Sequence, residues 1–393
     1  MKAIRLGLLP RIIIAIALGI GLGLVVPDGV TRLFLTFNAI FSQFLGFAIP
    51  LIILALVAEA IGSIGHSAGK MLLLTVAIAY GSTVFSGYLA YFTGDAIFPH
   101  LIEPGKVEQL QSAGEALTPY FTVEMPPVMG VMTALVLAFI LGLGVAHLES
   151  KALKHVIVDV KDIISDVIEK VIIPLLPLYI FGIFLEMASS GKVAGVLVVF
   201  IKIIGVIFAL HILLLLLQFT IAGVITKKNP LRLLGNMLPA YFTALGTASS
   251  AATIPVTLAQ AKKNGTSDGV ASFVVPLCAT IHLSGSTLKI VSCALALILM
   301  QGGTYDLGLF THFILLLGVT MVAAPGVPGG AIMAALAILQ SILGFTVEEQ
   351  ALMISLYITM DSFGTACNVT GDGAIALVVD KLLGHKVQGS ATA

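Results

Sequence analysis

The stretch TASSAATIPVT, residues 247–257, lies in the middle of an apolar segment that runs from 231 to 261. Its small hydroxylated residues and its proline break a lipid-facing helix, because proline removes a backbone hydrogen bond that no water in the bilayer replaces. A segment that enters to mid-membrane depth, breaks and returns resolves the conflict, provided its tip meets protein or a watery cavity. The stretch AAPGVPGG, residues 323–330, has the same form inside a second apolar segment, 308–344. Two prolines and three glycines in eight residues exclude an ordinary helix there. Both segments read as re-entrant helical hairpins, and a flexible tip at the second is a natural gate.

The chain around them is a membrane chain. Of its 393 residues, 58% are hydrophobic and 10% charged, where soluble domains carry about 25% charged residues. The formal net charge is zero, which gives no footprint for nucleic acid. Cys278, Cys293 and Cys367 lie in apolar stretches without CxxC spacing and read as small buried residues. Apolar spans fall at 7–26, 34–62, 70–94, 128–147, 163–190, 197–226, 267–300 and 349–383. The first reads as a helix and not as a removable signal, since no small-residue cleavage site follows it. Eight spans and two hairpins, with the N- and C-termini in the cytoplasm, put fourteen lysines and arginines inside and only Arg32, Lys106 and Lys192 outside, as the positive-inside rule requires. If the first hairpin crossed instead, Lys262 and Lys263 would move outside while Lys227 and Lys228 stayed inside.

The expected fold is therefore an all-α integral membrane protein of eight transmembrane helices plus two re-entrant helical hairpins. Residues 1–230 read mainly as scaffold and 231–385 as a transport core built as an inverted repeat of hairpin and broken helix. Four clusters carry the chemistry. Ser249 and Ser250 at the first tip serve either close helix packing or a ligand. ATIHLSGSTLKI, residues 279–290, interrupts a span with His282, two serines and a glycine, and unwound carbonyls there suit a hard cation such as Na⁺. His282 and Lys289, seven apart, would share a helix face. Lys289 reads either as a functional intramembrane charge or as a side chain snorkelling from a helix end, and His282 either as a ligand or proton carrier or as a donor to a carbonyl. AAPGVPGG is the third cluster. The fourth, MDSFGTACNVTGD at 360–372, sets Asp361, Thr365, Asn368 and Asp372 on one helical stripe, which lipid would not accept. Asp361 could hold an ammonium and Asp372 a cation, and two unpaired carboxylates disfavour a purely internal network.

SSAATIPVT, ATIHLSGST, APGVPGGAIM and NVTGD, in this order, closely resemble the sodium:dicarboxylate symporter family, the glutamate transporter superfamily, over essentially the whole chain. The resemblance implies a homotrimer in the plasma (inner) membrane. Each protomer would move its transport core like an elevator to take up an amino acid or dicarboxylate with Na⁺ or, in some members, H⁺, and would need no other cofactor. It implies substrate contacts from Ser249, Ser250, Ser286, Gly326, Val327, Asp361, Gly364, Thr365 and Asn368. It also implies Na⁺ ligands, partly through backbone carbonyls, from Asp372, Asn368, Cys278 and His282, with Tyr80 and Thr83 of the third span.

The departures narrow this. Gly364 stands where acidic-substrate members carry an arginine, and Ala248 where many prokaryotic members carry another. An anionic substrate side chain thereby loses a charge-assisted partner, which favours a neutral amino acid such as serine or threonine. The family motif NMDGT reads His-Leu-Ser-Gly-Ser at 282–286, so one sodium site has lost its aspartate to Ser284, and Val84 replaces a further serine. That site is expected to be without sodium, with His282 or Lys289 supplying the charge if transport is coupled to protons. Ala324 and Pro325 also depart from the pattern of the second tip. The same residues are compatible with a divergent carrier of dicarboxylates or acidic amino acids, or with a channel-like anion conductor. No HExxH or GxSxG pattern suggests an enzyme.

Overall fold

A computed structural model describes residues 8–64, 69–102, 117–148, 151–191, 193–322, 324 and 329–388. Its regular structure is helical, with no strand among the described residues. The first half contains α1 (Leu8–Gly23), α2 (Asp28–Ile64), α3 (Gly69–Leu101), α4 (Val131–Leu148), α5 (Lys151–Val167), α6 (Ile173–Ser189) and α7 (Val193–Thr226). The second half contains α8 (Pro230–Thr247), α9 (Ser250–Lys263), α10 (Asp268–Ile281), α11 (Ser284–Met300), α12 (Leu307–Val322), α13 (Gly330–Leu343), α14 (Val347–Thr359) and α15 (Asp361–Gln388).

Five described stretches are long and apolar enough to cross a membrane: Asp28–Glu59, Lys70–Leu101, Lys151–Ser189, Leu197–Thr226 and Asp268–Met300. Pro10–Gly23, Val136–His147, Leu307–Val322 and Gly330–Leu343 form shorter apolar helices. The expected span at 349–383 is not among them. Its polar stripe lowers its hydropathy, and residues 364–379 are buried inside the protein. The polar residues thus meet other helices and not lipid, which is how such a stripe is tolerated.

The expected loop between 147 and 163 is also corrected. Lys151–Val167 is helical and continues through a π-helical turn, Ile168–Ile172, into α6. Pro174 in the first turn of α6 has no N–H to donate, and its ring crowds the carbonyl four residues back, so the wider turn accommodates it.

The two segments expected as hairpins are each a pair of packed helices. The α8 and α9 arms pack on each other, as do α12 and α13. Pro230 opens α8, and the Asn229 side chain accepts the Arg232 N–H at 3.1 Å. The break falls at Ala248–Ser249. Ala248 holds a left-handed φ of 49°, and Ser249 caps α9 by accepting the Ala252 N–H at 3.3 Å. Pro255 lies within α9 and does not end it. In the second hairpin α13 starts after Gly329, whose φ of 77° suits glycine. Gly326 and Val327 lie outside the described residues.

The centre of the molecule is α11 and the first half of α15. Every residue of α11 is buried. It packs on α3, α7 and α15, while α15 packs on α7, α8, α9 and α10. The helix 10–11 segment is interrupted at His282 and Leu283, whose backbones leave the helical region. Met360 separates α14 from α15 in the same way.

Candidate functional site

The four interruptions meet. Ser250, Ser286, Ala331 and Asp361 line one cavity, and each lies in the first turn of a different helix, α9, α11, α13 and α15. Helix N-termini present unpaired N–H groups and the positive end of the helix dipole. Four such ends around one cavity make a setting for a carboxylate. Tyr357, Thr365 and Asn368 complete the polar lining.

Asn368 organises the floor. Its Oδ1 accepts the Gly285 N–H at 2.7 Å and the Ser286 N–H at 3.3 Å, and its Nδ2 donates to Ser286 Oγ at 3.1 Å. Tyr357 donates to the same Ser286 hydroxyl at 2.9 Å. Asp361 Oδ2 accepts the Gly329 N–H at 2.8 Å, which ties the second hairpin to α15. Asp361 Oδ1 lies 3.5 Å from Lys289 Nζ.

A second polar cluster lies one helical stretch deeper. His282 Nδ1 donates to Asp372 Oδ1 at 2.9 Å, and Ser82 Oγ lies 3.0 Å from His282 Nε2. Gln218 Nε2 donates to Ser82 Oγ at 3.0 Å and to Ser284 Oγ at 3.1 Å. Ser82 Oγ thus bridges Gln218 and His282 Nε2, and Ser82, Ser284 and Gln218 enclose the His282–Asp372 pair.

The structure brings Ser250, Ser286, Asp361, Thr365 and Asn368 to the cavity, and His282 and Asp372 to the deeper cluster. Ser249 stands at the tip as the cap of α9. The Cys278 carbonyl accepts the His282 N–H at 2.9 Å. The Tyr80 hydroxyl donates to the Leu315 carbonyl at 3.2 Å and Thr83 to the Ala79 carbonyl at 2.9 Å. The expected common face of His282 and Lys289 is overturned, because the helix breaks between them and each pairs with a different aspartate. Lys289 does not snorkel: its side chain is fully buried. Nor are the two carboxylates unpaired, since each has a partner from the interrupted segment.

Ser82, Gln218 and Tyr357 were not expected at either cluster. Gln218 carried a signal, being a lone amide in the apolar run HILLLLLQFT, residues 211–220.

Interrupted helices around a polar cavity, on a multi-pass apolar scaffold, define a membrane carrier for a small polar solute. The family model for the sodium:dicarboxylate symporter family matches residues 8–382. The chain belongs to that family, and it is a transporter that takes a small solute together with a cation. It is 28% identical to the serine/threonine transporter SstT of Acinetobacter baumannii, over 96% of this chain and 97% of that one. It is also 34% identical to excitatory amino acid transporter 1 of Ambystoma tigrinum and 30% identical to that of Homo sapiens, in each case over 53% of this chain and 38% of the relative.

Proposed function

We propose that this protein is a secondary active symporter taking up a neutral amino acid of the serine or threonine kind, driven by a sodium gradient. The observation that carries the reading is the placement of Asp361, Thr365 and Asn368 at a cavity ringed by four helix N-termini. The N-termini and Asn368 suit the substrate carboxylate, Asp361 its ammonium, and Thr365 a small hydroxylated side chain. A neutral substrate follows from Gly364 and Lys289. No side chain extends from position 364, and Lys289, which does not line the cavity, has its Nζ engaged by Asp361 at 3.5 Å, the Met360 carbonyl at 3.2 Å and the Tyr357 ring at 3.6 Å. The resemblance to a serine/threonine transporter along almost the full length supports the same reading.

Residues 231–385 with part of α3 form the transport core in this proposal. It moves against the scaffold of a homotrimer in the plasma membrane, with both termini cytoplasmic. Both apolar hairpins re-enter from opposite faces. The charge on Asp372 makes the deeper cluster the place for an accompanying cation, while Ser284 and His282 in the altered motif lower the number of sodium ions carried.

A second reading has the His282–Asp372 pair carry a proton in place of sodium. Purified protein in liposomes decides between them under separately imposed sodium and proton gradients, with labelled serine competed by threonine, aspartate and succinate. The expected result is sodium-driven serine uptake inhibited by threonine far more than by aspartate or succinate. Stronger inhibition by aspartate contradicts the neutral substrate, and uptake driven only by protons establishes the second reading.

A further inference from the structure

Lys289 is the one fully buried lysine among the described residues, and it sits against the substrate cavity without lining it. Its ammonium is held by three groups: Asp361 Oδ1 at 3.5 Å, the Met360 carbonyl at 3.2 Å and the face of the Tyr357 ring at 3.6 Å. Two of the three are independent of Asp361 and are shorter or comparable, so the ammonium keeps a seat when Asp361 turns to another partner. The slot exists because position 364 is glycine. A Cβ there would stand 2.4 Å from Lys289 Cε and 2.5 Å from Nζ. The cation therefore reaches this place from α11 at the expense of any side chain from α15.

We propose that Lys289 is a tethered counter-ion for Asp361 that lets the unloaded transport core return across the membrane. The inference rests on the carrier reading above. A buried carboxylate waiting for a substrate ammonium is costly whenever the substrate is gone, and an unpaired charge at bilayer depth opposes any movement through it. With Lys289 beside it, the Asp361 site is balanced in the unloaded core. In the loaded core the substrate ammonium takes Asp361, the substrate carboxylate restores neutrality, and Lys289 rests on Met360 and Tyr357. The lysine is thus a positioning group for charge in one half of the cycle and not a contact for the substrate.

The test separates the two halves of the cycle in liposomes. Net serine uptake into serine-free vesicles requires the unloaded return, whereas exchange into serine-preloaded vesicles does not. In Lys289→Met, net uptake is expected to fall by about tenfold or more while exchange persists. Lys289→Arg retains both. Lys289→Ala combined with Gly364→Lys, which empties the slot and supplies the ammonium from the neighbouring helix, recovers net uptake. The combined variant keeps the test decisive if Lys289→Met alone does not fold. Equal loss of net uptake and exchange in a folded Lys289→Met, unchanged net uptake, or no recovery in the folded combined variant overturns the proposal. Absence of both activities in the wild-type protein for every amino acid tried contradicts the carrier reading instead.

Discussion

His282 Nδ1 lies 2.9 Å from Asp372 Oδ1, with side-chain exposures of 0% and 1%. The contact joins the break between α10 and α11 to the middle of α15, and it brings one helix interruption to a carboxylate 90 residues away. Removing the imidazole leaves a buried carboxylate short of a donor. His282→Ala is expected to lose about 3 kcal/mol of stability, seen as a lower unfolding temperature in detergent. The double variant His282→Ala, Asp372→Asn should recover much of that loss, because the charge leaves with its partner. Equal stability of His282→Ala and the wild type would show that the pair holds nothing together.

Asn368 serves the protein before it serves a substrate. Its Oδ1 is the acceptor for two N–H groups of the first turn of α11. Asn368→Ala should cost about 1–3 kcal/mol and abolish the stabilisation that added serine gives to the wild-type protein in a thermal shift assay. A variant that still responds to serine would remove Asn368 from the binding floor.

Gly364 and Gly81 make an internal comparison. A Cβ at 364 meets Lys289 at 2.4 Å, whereas at 81 it meets nothing within 4 Å. Gly364→Ala should cost about 1–3 kcal/mol and lower net uptake by pushing the ammonium off Asp361. Gly81→Ala should be neutral or stabilising by about 0.5–1 kcal/mol, since it removes a flexible residue from a helix. Unfolding curves and serine uptake for the two variants check this.

The first hairpin tip stores strain at Ala248, whose φ of 49° is left-handed for a residue with a side chain. Ala248→Gly should stabilise the tip by about 1 kcal/mol. Ala248→Val should destabilise it by more, because a β-branched residue tolerates that conformation poorly. Melting temperatures of the two variants should therefore move in opposite directions.

The helix breaks near 248 and 329 and the polar stripe of α15 were legible because lipid leaves few ways to place prolines, glycines and carboxylates in apolar sequence. The partners of those carboxylates were not. His282 and Lys289 are seven apart, and the helical period puts them on one face until the backbone break at 282–283 turns them to different aspartates. Position 364 shows the same limit. The sequence reports a missing side chain there, while the ammonium that fills its volume comes from another helix. Ser82 lies between the expected Tyr80 and Thr83, and only the packing of α3 on α11 selects it. The helical 151–167 was hidden by its charges, which suit an amphipathic helix as well as a loop.

If the cavity at the four helix N-termini binds and carries an amino acid, the Asp361 carboxylate is its anchor for the ammonium. The direct measurement is uptake of labelled serine into liposomes under an inward sodium gradient, for wild type and Asp361→Asn in parallel. Saturable, gradient-dependent uptake is expected for the wild type and none for a folded Asp361→Asn. Wild-type uptake that survives the loss of the Asp361 charge would contradict it.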